Sequence, residues 1–229
     1  MAIGEDSGRE VARNRETPTE RLVAFSDAVF AVIITIMVLD LKPPAESKLS
    51  ALLPLWPTAL SYAVSYLFLA IIWINHHRLL LFAHDATPKL IWWNFAHLFM
   101  ISLIPFATAW ISATRLAAGP VFVYAAVFVL VNIAFLGYQQ EALCQASDAE
   151  VSRKTRHRTR VRALITLGIF ATAACVANWH PLFGFGLICC VLLIYLRPQV
   201  PGEGLQRDAG GTHSKPSSLP EAHENKETS

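Results

Sequence analysis

The sequence predicts an all-α protein that crosses a membrane six times with both termini in the cytoplasm. Of its 229 residues, 54% are hydrophobic and only 16% charged, with a mean hydropathy of +0.41, whereas a soluble domain is roughly a quarter charged. The charges also avoid the apolar stretches, gathering near the start, around His76 to Lys89, between Glu141 and Arg162, and after Leu196. That is the layout of spans and loops. With a net charge of +2 and its basic residues at span ends, the chain gives no reason to expect a nucleic-acid partner.

A crossing needs roughly 20 apolar residues, which places spans over 22–41, 52–74, 90–111, 121–138, 161–179 and 182–196. The last two are separated only by Asn178, Trp179, His180 and Pro181, and the sixth is short, so a re-entrant pair is the alternative there. Pro105 is expected to kink the third span. The domain organisation follows as a cytoplasmic segment 1–20, a six-helix membrane domain 21–197 and a disordered cytoplasmic tail 198–229 rich in Pro, Gly, Ser, Glu and Lys.

Orientation rests on Lys and Arg, which favour cytoplasmic loops. With the N-terminus inside, sixteen of the nineteen fall on the inner side, and only Lys42, Lys48 and Arg115 fall outside. The run Arg153–Arg162 reads as a positive-inside anchor, with anionic lipid a lesser partner. The first eighteen residues are polar and mixed in charge, so no cleavable leader is expected. A multi-pass protein of the inner (plasma) membrane, in contact with lipid, is the expected location. Cys144, Cys175, Cys189 and Cys190 lack metal-ligand spacing; those in spans read as small buried hydrophobes.

The first span carries the strongest chemical signal. Asp27 lies about two turns inside it, where a charge costs at least ~2.5–3.5 kcal/mol. Arg21 is offset from it by about 120° around a helix, which makes a poor intrahelical pair and points to partners on other helices. The second span closes with Trp73, Asn75, His76, His77 and Arg78 at the same expected depth, and Trp and His can donate hydrogen bonds to Asp27 and Ser26. Asn94 and His97 on the third span extend the network. A buried polar clamp and a proton- or ion-binding role for Asp27 both fit these residues.

The combination of Arg21, Phe25, Ser26 and Asp27 opening a first helix that continues through Thr35 to Leu39 and Asp40, then Trp73 with Asn75, His76, His77 and Arg78, resembles the bacterial members of the TMEM175 family of potassium channels. The resemblance covers about Arg21 to Pro105 by motif and the remaining spans by number and length. It implies a homotetramer whose four first helices line a central pore without a carbonyl filter. By motif spacing it implies a narrow apolar layer at Val32, a hydroxyl layer at Thr35, and further apolar layers at Ile36 and Leu39. The Phe25, Ser26 and Asp27 network is implied to be structural. Potassium is then the permeant ion, with no cofactor, no metal site and no enzymatic activity.

Helical geometry is consistent with this. Val32, Thr35, Ile36 and Leu39 have the i, i+3, i+4, i+7 spacing of one helix face, and Asp27 lies roughly 140° away from it. Ala24, Ala28 and Ala31 would admit a close neighbour. Rings of aliphatic side chains gate by dewetting, and a ring of Thr35 hydroxyls would replace part of an ion's water.

Two positions depart from the family pattern. Val32 stands where many relatives carry Ile or Leu, so the constriction is either wider there or shifted to Ile36 or Leu39. Asp40 stands where Glu is expected; it is either an outer-mouth charge that concentrates cations or an interfacial charge paired with Lys42.

Two rival readings remain. A secondary cation or proton transporter would use Asp27, although the sequence has no internal repeat of the motif and no Gly or Pro break in the first span. A haem or metal redox protein would use His76 or His77 with His97, although His76 and His77 point about 100° apart on a helix.

Overall fold

The computed structural model describes residues 17–147 and 151–195. The expected tail 198–229 and most of the segment 1–20 lie outside the described residues. Those described are helices joined by short turns: α1 Pro18–Ile36, α2 Trp56–Leu80, α3 Pro88–Ser102, α4 Ile104–Ala113, α5 Ala118–Gln145, α6 Arg153–Ala177 and α7 Pro181–Tyr195, with 3₁₀ segments at Met37–Asp40 and Leu49–Leu55.

Among the described residues, five runs are long and apolar enough to cross a bilayer, and Pro181–Leu193 is a shorter apolar helix. The protein is therefore a multi-pass membrane protein, all-helical among the described residues. At 1.5 Å per residue the 15 residues of α7 span about 22 Å, less than a ~30 Å hydrocarbon core.

Several helices begin where the sequence can satisfy or dispense with free N–H groups. α1 starts four residues before the expected span because Thr17 and Glu20 form a capping box: the Thr17 hydroxyl accepts from the Glu20 N–H, and the Glu20 carboxylate accepts from the Thr17 N–H at 2.6 Å. Pro18 occupies the first turn, where no donor is needed. Thr87 followed by Pro88, and Ser152, cap α3 and α6 in the same manner.

The third expected span is divided at Leu103. Pro105 cannot donate to the Ile101 carbonyl, so α3 ends at Ser102 and α4 restarts at Ile104. α2 runs six residues beyond its expected end and keeps Asn75, His76, His77 and Arg78 in helical register. The basic run 153–162 is likewise helical, forming the first turns of α6.

α5 is the central element, packing against α2, α3, α4, α6 and α7, whereas α1 lies at the edge against α2 and α3. The core around α5 holds Phe68, Phe128 and Phe170, with centroids 4.7 Å apart for Phe68–Phe128 and 5.1 Å for Phe128–Phe170. Ser65 ties three helices together through hydroxyl contacts of 2.7 Å with Thr108 and 2.7 Å with Tyr124. Two glycines permit close approach. A Cβ at Gly184 would lie 2.9 Å from the Ala173 carbonyl oxygen on α6, and one at Gly137 would meet the Trp93 ring at 2.5 Å.

Candidate functional site

α1 has two distinct faces. Leu22, Ser26, Phe30, Ile33 and Met37 are buried against α2 and α3, and their spacing of three and four is that of one helical stripe. The other face is uncovered: Val32 is 53% exposed, Ile36 47% and Leu39 75%, against 1% for Phe30 and Met37. Ala24, Ala28, Ala31 and Thr35 are exposed on that side as well.

The Thr35 hydroxyl lies 3.0 Å from the Ala31 carbonyl and 2.9 Å from that of Val32. Its proton is thereby directed into its own helix, and the oxygen lone pairs remain available on the exposed side. Past Ile36 the chain tightens into the 3₁₀ turn Met37–Asp40, which carries Leu39 and Asp40. Asp40 is exposed and makes no ion pair with Lys42 among the described residues.

The anchor lies along the edge of the buried face, with Ser26 buried and Asp27, Trp73 and His77 each about a third exposed. Trp73 Nε1 donates to Asp27 Oδ1 at 2.8 Å, and His77 Nδ1 faces Oδ2 at 3.3 Å. Trp73 and His77 are one helical turn apart on α2, with ring centroids 5.6 Å apart, so one face of α2 addresses both carboxylate oxygens. Beside it, the Ser26 hydroxyl donates to the Leu22 carbonyl at 2.8 Å and accepts from the Asn94 amide at 3.0 Å. Phe25 packs on Phe95 of α3 at 5.4 Å. Ser26 and Asp27, adjacent in sequence, thus clamp α1 to two different helices. A charge-assisted N–H···O⁻ bond is the strong kind, which offsets the cost of placing Asp27 within the span.

Of the residues expected in this network, the structure brings together Phe25, Ser26, Asp27, Trp73, His77 and Asn94. Arg21 is exposed, and neither it nor Arg78 pairs with Asp27 among the described residues. Asn75 faces a cavity instead. His76 turns away from Asp27 and is fully buried, its ring stacked on His97 (5.4 Å, 11°) and Tyr138 (4.6 Å, 10°). Rings packed face to face do not converge their nitrogens on a shared centre, and no group of three His, Cys, Asp or Glu side chains gathers among the described residues.

Sequence reasoning missed Arg156. Its guanidinium donates to the carbonyls of Leu143, Ala146 (2.6 Å) and Ser147 (3.3 Å) at the end of α5, and through Nε to Val151 (3.1 Å). A cation at a helix C-terminus also complements the macrodipole. The missed signal was a single arginine three residues into a capped helix, concealed within a basic run.

The site is thus that of a multi-pass helical membrane protein whose edge helix α1 is clamped along one side and bare on the other. The family described as Endosomal/lysosomal potassium channel TMEM175 matches residues 21–105, the stretch that contains this helix and its anchor. A protein named potassium channel from a Chryseobacterium species is 32% identical over 179 residues, spanning 78% of this chain and 92% of its own length. Another of that name from Chamaesiphon minutus is 33% identical over 132 residues, covering 52% of this chain and 64% of its own. The crystal structure of a lysosomal potassium-selective channel TMEM175 homolog from Chamaesiphon minutus superposes with a TM-score of 0.69 at 26% identity, covering 78% of this chain and 96% of that one. The chain belongs to the TMEM175 family.

Proposed function

We propose that the chain forms a potassium-permeable cation channel as a homo-oligomer, with four copies arranged around an axis and α1 of each lining the path. One observation carries this reading: α1 is anchored by Ser26 and Asp27 on one face and presents Val32, Thr35, Ile36 and Leu39, uncovered, on the other. A single copy cannot surround a path with one helix, so the reading requires a closed ring. The names of the bacterial relatives supply the permeant ion.

In this arrangement Val32, Ile36 and Leu39 form apolar rings that gate by dewetting, and Thr35 turns its oxygens to the ion. Asp40 would concentrate cations at the outer mouth. Both termini are on the cytoplasmic side of the inner membrane, as the Lys and Arg distribution supports. No cofactor enters the mechanism. The family is one of transport proteins, and no residue here is assigned a catalytic step.

The test is reconstitution of the purified protein in a planar bilayer under opposed potassium and sodium gradients. Discrete currents reversing near the potassium potential are expected. Thr35→Ala is expected to move the reversal potential toward zero, and Val32→Ala to raise unitary current. Absence of current from folded, oligomeric protein would overturn the reading.

A further inference from the structure

Behind the anchored face of α1, within a single copy of the chain, a cavity of about 50 Å³ lies among α2, α3, α5, α6 and α7. Phe135 and Phe170 wall it, and its polar lining is Asn75, His97, Asn132 and Thr166. No α1 residue lines it, so it is separate from the Val32–Leu39 stripe.

Two of these polar groups share one character. His97 is fully buried, and its Nδ1 lies 3.2 Å from the Val131 carbonyl. A carbonyl only accepts, so that nitrogen carries the proton, and Nε2 is left as an acceptor. Nε2 has no hydrogen-bond partner among the described residues, and neither does Asn132 Oδ1, on a side chain only 9% exposed. The Thr166 hydroxyl, also in the lining, donates to the Arg162 carbonyl at 3.0 Å. The chamber therefore holds two buried acceptors, His97 Nε2 and Asn132 Oδ1, that lack donors among the described residues.

A buried acceptor left bare is costly, so such groups are normally met by protein or by water. The lining is mostly apolar, but a cavity larger than about 10–15 Å³ takes water where it offers two or more polar partners, as His97 and Asn132 do here. The ligand that fits is small and has two donor hydrogens.

We infer that each copy of the chain holds a hydration site in this cavity, a small water cluster that donates to His97 Nε2 and Asn132 Oδ1 and gives a buried imidazole contact with exchangeable solvent protons. Part-exposed Ile71, Ile72 and Asn75 form its rim. The stacked His76 ring continues the aromatic wall away from the chamber toward Tyr138.

The experiment is water-edited solid-state NMR on the full chain in lipid bilayers, with ring-15N histidine and methyl-13C isoleucine. The His97 signal is assigned from its loss in His97→Gln. Magnetisation from water is expected to reach His97 at a rate near that of exposed His157 and well above that of the fully buried Ile101 methyl. Asn132→Leu, which fills the chamber with apolar atoms, is expected to slow transfer to His97 several-fold without changing His157. A wild-type His97 that polarises no faster than Ile101, or that polarises from lipid acyl chains instead of water, overturns the inference whether or not Asn132→Leu folds. No current is measured, so the result is independent of the channel reading.

Discussion

Trp73 and Asp27 show how a single polar pair can fix a helix in a membrane. The carboxylate is tolerated because an indole and an imidazole on one face of α2 meet its two oxygens. Trp73→Phe keeps an aromatic ring and removes the donor; with both partners about a third exposed, it is expected to cost about 1 kcal/mol, read as a lower thermal midpoint. Asp27→Asn retains an acceptor for Trp73 and is expected to lose less than Asp27→Ala in the same melt. A reversed order would remove the anchoring role. The turn after α4 offers an opposite case. Arg115 has φ 51° and is exposed, and a non-glycine residue in that region is strained by ~1–2 kcal/mol. Arg115→Gly is expected to raise the thermal midpoint, partly offset by the added freedom of glycine in the unfolded chain.

At the scale of helices, the α5–α6 junction depends on Arg156. Arg156→Ala strips donors from carbonyls at the end of α5 and is expected to destabilise the protein by about 1–3 kcal/mol, with Arg156→Lys recovering only part because an ammonium cannot span the same carbonyls. Gly184→Val is expected to separate α7 from α6, since even a Cβ would press on the Ala173 carbonyl oxygen and the Ala177 backbone; overpacking of this kind costs about 1–3 kcal/mol. Thermal unfolding in detergent reads both. What was legible in the sequence divides at this scale along a physical line. The Val32, Thr35 and Ile36 stripe and the turning away of Asp27 were readable because both follow from 100° per residue within one helix, whereas Leu39 falls on the 3₁₀ turn beyond it. That His77 and not His76 meets Asp27, and that His76 stacks on Tyr138, depends on how α2 is rotated against α1 and α5, which no local pattern encodes. The Thr17–Glu20 capping box was local and could have been read, since Thr-x-x-Glu ahead of an apolar run is its signature.

At the scale of the molecule, apolar content and charge segregation were enough for a multi-pass helical bundle, because a bilayer admits few other solutions to backbone hydrogen bonding. The exact lengths were not readable. α2 and α6 extend past their apolar cores because polar residues at a span's end remain in helical register when nothing breaks it. The burial pattern has an assembly consequence as well. α1 is both the edge helix and the one with a bare small-residue and hydroxyl face, so self-association is expected to proceed through it. Disulfide cross-linking of copies carrying Ala28→Cys is expected to yield a dimer band, since one thiol per copy joins two copies. The same variant remaining monomeric beside a working channel would place the axis elsewhere.

The 3₁₀ turn at Met37–Asp40 makes the end of α1 a screw thread of a different pitch. A 3₁₀ helix advances about 2.0 Å and 120° per residue, and an α-helix about 1.5 Å and 100°. Rewinding these four residues would therefore draw the Leu39–Asp40 end inward by about 2 Å and turn it by about 80°. Met37 is locked in the core and Leu39 is three-quarters exposed, so the thread is fixed at its base and free at its tip. A small change in winding there would swing an isobutyl group and a carboxylate around the axis together, while the clamp at Asp27 stayed in place.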